Sequence, residues 1–199
     1  VRESRFNRQR DMGIIPAHAQ LSVGHRAIEE WDKLLPAQKK VELRRMRIYA
    51  AMIENMDHHI GRLLEDLETR ASSRETIIIF VSDNGAEGNA IDQIMDNEYW
   101  MPSTFDNRFS NLGRQGSYMW LGLGWAQASV SPFRLYKSYT TAGGLRTPAI
   151  VYSTDGRAGT GLRDAIVTVR EDPGLANSPA LLRAVEVHWG DRLALMKVG

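Results

Sequence analysis

Apolar residues recur every three or four positions between Pro36 and about Arg70, which predicts one long amphipathic helix. These apolar positions are Tyr49, Ile53, Met56, Ile60, Leu63 and Leu67. Charged and amide side chains fall largely between them, so we expect the helix to bury one stripe against a sheet and to expose the other. Pro36 suits the first turn of a helix, whereas Leu35 is a poor N-cap.

Three further segments carry strand patterns. A run of mostly β-branched residues at 76–81 predicts a strand covered on both faces, as in a parallel α/β sheet, and 145–152 and 165–169 predict two more strands. Residues 178–187, which begin Ser-Pro, predict a helix. Residues 1–35 are polar and interrupted by glycine and proline, so a loop-rich segment is expected there.

The composition is that of an ordinary globular chain, with 43% hydrophobic and 25% charged residues and a net charge of +1. These values exclude a disordered or fibrous chain, and the charge offers no broad attraction for nucleic acid, so no nucleic-acid partner is expected. No apolar run approaches the roughly 20 residues that a membrane-spanning helix needs. The sequence contains no cysteine, which excludes disulfides and thiol chemistry but leaves the compartment open.

Asp83 and Asn84 directly follow the predicted strand at 76–81. Open α/β sheets place ligands at the carboxyl ends of their strands, so chemistry is expected at this position. The two side chains offer oxygen donors, which suit Ca²⁺ or Mg²⁺. An Asx turn before Gly85 is the alternative interpretation, and from turn chemistry alone it is the commoner one.

Three ordered blocks of the sequence carry a family resemblance: 49–64 (YAAMIENMDHHIGRLL), 77–88 (IIIFVSDNGAEG) and 132–148 (PFRLYKSYTTAGGLRTP). They resemble consecutive blocks of a bacterial type I sulfatase, in the arylsulfatase group of the alkaline-phosphatase superfamily. The resemblance implies an α/β fold with a mostly parallel sheet flanked by helices. On this interpretation residues 1–170 form part of a sulfatase catalytic domain, and 171–199 form a divergent tail.

The resemblance also implies roles for single residues. Asp83 and Asn84 would bind a divalent metal, usually Ca²⁺, and Lys137 would contact the sulfate, although Lys137 taken alone is more simply a solvated lysine. A cation and an ammonium would neutralise the sulfate oxygens and favour charge developing on the leaving oxygen. Gly143-Gly144 would let the backbone pass close to the site. Ala142 stands where the family commonly carries an acid that could support an ion pair.

Sulfatases of this type use a formylglycine nucleophile made from Cys or Ser in a Cys/Ser-x-Pro/Ala-x-Arg motif. This sequence does not contain that motif, and no Asp-Asp-x-Gly metal motif is recognisable before Asp83. The chain is therefore expected to be the middle of a larger enzyme. We expect it to bind Ca²⁺ weakly and to have little or no turnover by itself.

The function that the resemblance implies is metal-dependent hydrolysis of a small sulfate ester. Two alternatives stay open: a phosphate or phosphonate ester hydrolase of the same superfamily, and a non-catalytic remnant or binding module. Full-length relatives suggest the periplasm or secretion, but the residues of this chain leave the compartment and the oligomeric state undetermined.

Other candidate residues receive structural interpretations. His58 and His59 are adjacent in the predicted helix and point about 100° apart, so solvated side chains are favoured over two metal ligands. His18, His25 and His188 are isolated in the sequence and are assigned no role. Seven aromatic residues between Trp100 and Phe133 favour packing of a long loop over a substrate pocket.

Overall fold

The structure is a computed structural model that describes residues 1–70, 76–89, 97–153, 166–170, 184–189 and 192–197. The chain divides into two compact units, of which the first comprises Val1–Thr76 and Val81–Pro148 and the second Ile77–Phe80 and Ala149–Gly199. The predicted boundary at residue 170, between part of a catalytic domain and a divergent tail, stays a prediction. Within the described ranges, no helix combines the length and the apolar character that crossing a bilayer requires.

The described residues of the first unit form helices and the loops between them. Its elements are α1 (Arg2–Asp11), a 3₁₀ turn (Trp31–Lys33), α2 (Pro36–Arg70), α3 (Asn97–Thr104), α4 (Leu123–Ser129) and the single turn α5 (Ala142–Leu145). The loop-rich prediction for residues 1–35 is wrong over α1. This polar helix is held by tertiary contacts, because it packs against α4 with Phe6 buried, and Gln9 Nε2 donates to the Ser131 carbonyl over 3.0 Å.

Helix α2 begins at Pro36 and runs to Arg70, as predicted. The Gln38 side chain accepts the backbone N–H of Leu35 over 2.8 Å, which satisfies the donor at the poor N-cap in the manner of a capping box. The first half of the helix is docked on later loops. Arg44 donates to the Leu112 carbonyl over 2.9 Å, and the Trp125 indole N–H donates to the Glu42 carbonyl over 2.9 Å.

The predicted burial of an apolar stripe along α2 is wrong in the described structure. No residue of the helix is buried, and Ile53, Met56 and Leu63 are 42%, 45% and 57% exposed. The described contacts that dock the helix involve its first half, and apolar positions of its second half stay exposed. The strand at 77–81 is likewise half-exposed, with Phe80 at 45%, so the prediction that it is covered on both faces is also wrong.

The second unit carries the strand pairings. Strand β1 (Ile77–Val81) pairs with β2 (Ala149–Ser153), and β3 (Ile166–Arg170), β4 (Ala184–Trp189) and β5 (Arg192–Lys197) form a three-stranded sheet in that order. Both pairings within the three-stranded sheet are antiparallel. The described strands therefore do not form the predicted mostly parallel sheet.

The strand predictions are confirmed for 77–81, 149–152 and 166–169. The second of these strands starts later than predicted, because residues 142–145 form α5. The helix predicted over 178–187 is wrong from residue 184, where the alternating sequence AVEVHW forms β4. Residues 178–183 lie outside the described ranges.

Candidate functional site

Two loops of the first unit lie backbone against backbone. The loop at 82–89 follows β1, and the loop at 134–147 leads into β2. The Gly85 N–H donates to the Gly144 carbonyl over 2.9 Å, and the Lys137 N–H donates to the Ala86 carbonyl over 3.1 Å. The loop that carries Asp83 and Asn84 and the loop that carries Lys137 are thus joined directly.

Glycines allow this close approach. A Cβ atom on Gly85 would overlap the Gly143 carbonyl oxygen, and a Cβ on Gly143 would overlap the Leu135 carbonyl oxygen. Gly85, Gly143 and Gly144 are all buried. The close backbone passage predicted at Gly143-Gly144 is therefore observed, and its partner is Gly85.

Asp83 and Asn84 differ in their surroundings. Asp83 is exposed, whereas Asn84 is half-buried and donates from Nδ2 to the Gly85 carbonyl over 2.9 Å. This bond orients the amide and leaves its oxygen as the atom that could bind a cation. The Ser82 hydroxyl donates to the Asn84 carbonyl over 2.9 Å, which is a different bond from that of the Asx turn, so both the turn interpretation and the metal interpretation stay predictions.

The side-chain oxygens of Asp83 and Asn84 are of the type that a hard cation binds, but they are too few to fill its coordination shell. One carboxylate and one amide oxygen suit Ca²⁺ or Mg²⁺, but Ca²⁺ takes about six to eight oxygen ligands. Across the described part of the chain, no three His, Cys, Asp or Glu side chains are grouped so that they could hold a metal ion. Any cation bound by Asp83 and Asn84 alone would be held weakly.

Lys137 is half-exposed and ion-paired. Its Nζ lies 3.1 Å from Glu87 Oε2, and Glu87 Oε1 accepts the Asn89 backbone N–H over 2.8 Å. Asn89 in turn donates to the Ser138 hydroxyl over 3.0 Å, which adds a side-chain bond between the two loops. Glu87 lies in the same sequence block as Asp83, but no sequence pattern marked it as a site residue. It supplies to Lys137 the acidic partner that Ala142 does not.

An aromatic cluster anchors the backbone beside Lys137. Tyr136 is fully buried, and burial, with Tyr139 and Glu87 as neighbours, raises its pKa to about 12. The Tyr139 hydroxyl lies 3.1 Å from His25 Nε2, so His25, which was assigned no role from the sequence, belongs to this cluster. Ser138 adopts a left-handed φ of 76°, which a non-glycine residue keeps only when its surroundings enforce it.

The remaining candidates lie elsewhere. His58 and His59 are exposed on α2, as predicted, with their ring centroids 5.4 Å apart. Trp100, Phe105 and Tyr118 pack together, with the Phe105 ring 5.2 Å from each of the other two, which agrees with the predicted packing role.

An open cavity of about 750 Å³ borders the cluster of Trp100, Phe105 and Tyr118. It is lined by residues 101–108 and Trp120. Arg108 there forms a two-bond pair with the Asp106 carboxylate and lowers the pKa of Asp106 to about 2. Because this guanidinium is already paired, the cavity offers a bound anion no free charge from Arg108.

Comparisons with known proteins identify relatives of this chain. The sulfatase family model matches residues 8–173. An uncharacterised sulfatase of Schizosaccharomyces pombe is 40% identical over 153 residues, which cover 76% of this chain and 28% of that protein. An arylsulfatase of Klebsiella aerogenes is 36% identical over 154 residues, covering 76% of this chain and 32% of that enzyme.

The chain thus spans about a third or less of the length of these two relatives. The family match, in contrast, extends over most of the chain and includes both loops of the candidate site. The protein therefore belongs to the sulfatase family.

Proposed function

We propose that Asp83, Asn84 and Lys137 are part of the site of a metal-dependent, arylsulfatase-like sulfuric ester hydrolase. Family membership supports hydrolysis of sulfate esters, and a relative named arylsulfatase supports the narrower class. The observation that carries the proposal is the backbone junction of the two loops, through Gly85 to Gly144 and Lys137 to Ala86. This junction puts the candidate metal donors and the candidate sulfate contact on adjoining loops.

Each residue would contribute a distinct interaction. The Asp83 carboxylate and the Asn84 amide oxygen would bind a divalent cation, Ca²⁺ or Mg²⁺, which supplies Lewis-acid polarisation when bound. Lys137 would donate hydrogen bonds to the sulfate oxygens and offset their negative charge. As the bond from sulfur to the leaving oxygen breaks, negative charge grows on that oxygen, and the fixed ammonium of Lys137 would stabilise this charge.

The nucleophile lies outside this set of residues. The family generally uses formylglycine, and the sequence contains no Cys/Ser-x-Pro/Ala-x-Arg motif from which it could be made. We therefore assign binding and charge stabilisation to this chain and no covalent step. The family also implies an alkaline-phosphatase-like α/β fold.

Binding, rather than turnover, tests the proposal on the 199-residue chain. Calorimetric titration with p-nitrophenyl sulfate in the presence of Ca²⁺ should give weak, saturable binding. Lys137→Ala should weaken it about tenfold, since a hydrogen bond to a charged group is lost. Asp83→Asn should remove the dependence on Ca²⁺.

Lys33→Ala is the matched control for the loss of one lysine, because Lys33 forms an exposed ion pair with Glu30 away from the two loops. It should leave the affinity unchanged. Equal binding by the parent chain, Lys137→Ala and Asp83→Asn would contradict the proposal. A preference for phosphate or phosphonate esters over the sulfate ester would favour the alternative hydrolase, and binding that ignores Ca²⁺ would favour a non-catalytic module.

A further inference from the structure

We infer that Glu87 weakens the binding of doubly charged phosphate monoesters relative to singly charged esters, such as sulfate monoesters, at the anion site. The inference rests on the proposed function, because it takes Lys137 as the residue that contacts the anion. It concerns a residue that acts through its charge beside Lys137, and it assigns Glu87 no part in a covalent step.

The Glu87 carboxylate is held in place next to the ammonium. Its Oε2 lies 3.1 Å from Lys137 Nζ, while its Oε1 accepts the Asn89 N–H over 2.8 Å. Both ends of the pair are partly shielded, with 43% of the Lys137 side chain and 35% of the Glu87 side chain exposed. The carboxylate is thus fixed by two bonds and cannot simply swing away when an anion approaches Lys137.

An anion that contacts Lys137 must therefore lie near a second negative group. A charge-assisted hydrogen bond from Nζ spans about 2.8 Å, so the anion's oxygens would lie within about 6 Å of the Glu87 carboxylate. The pair has no net charge, since one ammonium and one carboxylate cancel. It offers hydrogen-bond donors to the anion without a net positive charge.

This arrangement discriminates by ligand charge. Repulsion from the carboxylate is proportional to the charge on the ligand, so a dianion is repelled twice as strongly as a monoanion at the same distance. At about 5 Å, the additional unit of repulsion corresponds to a factor of about four in affinity in the dielectric of water, and to more in a partly buried site. Sulfate monoesters carry one charge, whereas phosphate monoesters carry nearly two above their second pKa of about 6.

Glu87→Gln is the informative variant, because glutamine keeps a side-chain oxygen for the Asn89 N–H and replaces the charged oxygen that faces Lys137 by an uncharged NH2 group. Three ligands of similar shape are titrated calorimetrically at pH 8 in Ca²⁺: p-nitrophenyl sulfate, p-nitrophenyl phosphate and the singly charged diester methyl p-nitrophenyl phosphate. The variant should raise the affinity ratio of the phosphate monoester to the sulfate monoester about fourfold or more. The ratio of the diester to the sulfate ester should stay unchanged, because both are monoanions.

Two control variants separate the effect of the Glu87 charge from the effect of a change in structure. Glu87→Asp should keep the parent ratio, and Glu30→Gln, which removes an equal charge from the exposed pair with Lys33, should also keep it. An unchanged ratio in Glu87→Gln, while Lys137→Ala still weakens binding, would overturn the inference and leave the proposed function standing. Binding of p-nitrophenyl sulfate that is indifferent to Lys137→Ala would overturn the proposed function and the inference with it.

Discussion

Gly85 donates its backbone N–H to the carbonyl of Gly144 over 2.9 Å, and this bond joins the loop of Asp83 to the loop of Lys137. The approach is close enough that a Cβ atom on Gly85 would overlap the Gly143 carbonyl oxygen of the other loop, whereas a Cβ on Gly144 would overlap the Tyr139 carbonyl oxygen of its own loop. In sequence the two loops are about fifty residues apart. Their junction is the structural basis for treating Asp83, Asn84 and Lys137 as one site.

Replacement of Gly85 tests the junction. A methyl group in Gly85→Ala would overlap the Gly143 carbonyl oxygen, which is backbone and cannot rotate away. We expect the free energy of unfolding, measured by urea denaturation, to fall by about 3 kcal/mol, at the upper end of the range for overpacking.

Gly61→Ala is the control, because a Cβ at this position of α2 meets no atom within 4 Å. It should raise the free energy of unfolding by about 0.5–1 kcal/mol, since alanine is the better helix former. Equal stability of Gly85→Ala and the parent chain would show that the two loops do not lie as closely as described.

Ionisation of the Tyr136 phenol should lower the free energy of unfolding at alkaline pH. Its folded-state pKa is raised to about 12, mainly by burial, against an unfolded value near 10. The neutral phenol is therefore favoured in the folded state, so its contribution is fully present below pH 10 and is lost as the pH rises from 10 to 12. Absorbance titration of phenolate should show one tyrosine ionising near pH 12 in the folded chain.

Tyr136→Phe should remove that late ionisation and flatten the corresponding part of the stability profile. Tyr118→Phe provides a comparison at a tyrosine in the separate Trp100–Phe105 cluster. If Tyr136 ionised near pH 10, its value in the unfolded chain, the described burial of its ring would be contradicted.

Hydrolysis of p-nitrophenyl sulfate by the purified chain in Ca²⁺ should be little or none. The reason is the lack of a formylglycine precursor motif in the sequence, because charge stabilisation by Lys137 cannot replace a nucleophile. Release of p-nitrophenol is followed against a buffer blank. Robust turnover that disappears in Lys137→Ala would refute this prediction.

Calcium should bind weakly, with a dissociation constant near the millimolar end of the range for protein sites, about 10⁻³ M. Of the two carboxylates in the loop, Glu87 is paired with Lys137, so Asp83 offers one formal charge and Asn84 one neutral oxygen donor. Calorimetric titration with CaCl₂ should lose its signal in Asp83→Asn. Asp66→Asn, at an exposed ion pair with Arg70 on α2, removes an equal charge and should retain the signal.

The sequence predicted the local elements where the pattern was long or chemically distinctive. The length of α2 follows from its sustained apolar period, and β1 follows from its β-branched run. The burial of both was predicted wrongly, because a pattern shows which face prefers to be covered and does not show what covers it. Helix α1 was missed since its ten residues are mostly polar, and the contacts that hold it, such as those of buried Phe6 and the bond from Gln9 to Ser131, are tertiary.

The site was predictable only in part. The adjacency of Asp83 and Asn84 is visible in the sequence, and the family resemblance pointed to Lys137. The pairing of Lys137 with Glu87 depends on a tertiary contact between residues fifty positions apart, which no spacing rule indicates. The contact between His25 and Tyr139 was likewise not predictable, because the two residues lie more than a hundred positions apart in the sequence.

The central claim is that Asp83 and Lys137 act on the same sulfate ester, and a double-mutant cycle tests it most directly. The affinity for p-nitrophenyl sulfate in Ca²⁺ is measured by calorimetry for the parent chain, Asp83→Asn, Lys137→Ala and the double variant. We predict that each single change weakens binding and that the double variant loses at least about threefold less than the product of the two single losses, because interacting sites are not additive. Losses that multiply, as expected for independent positions, would contradict the claim.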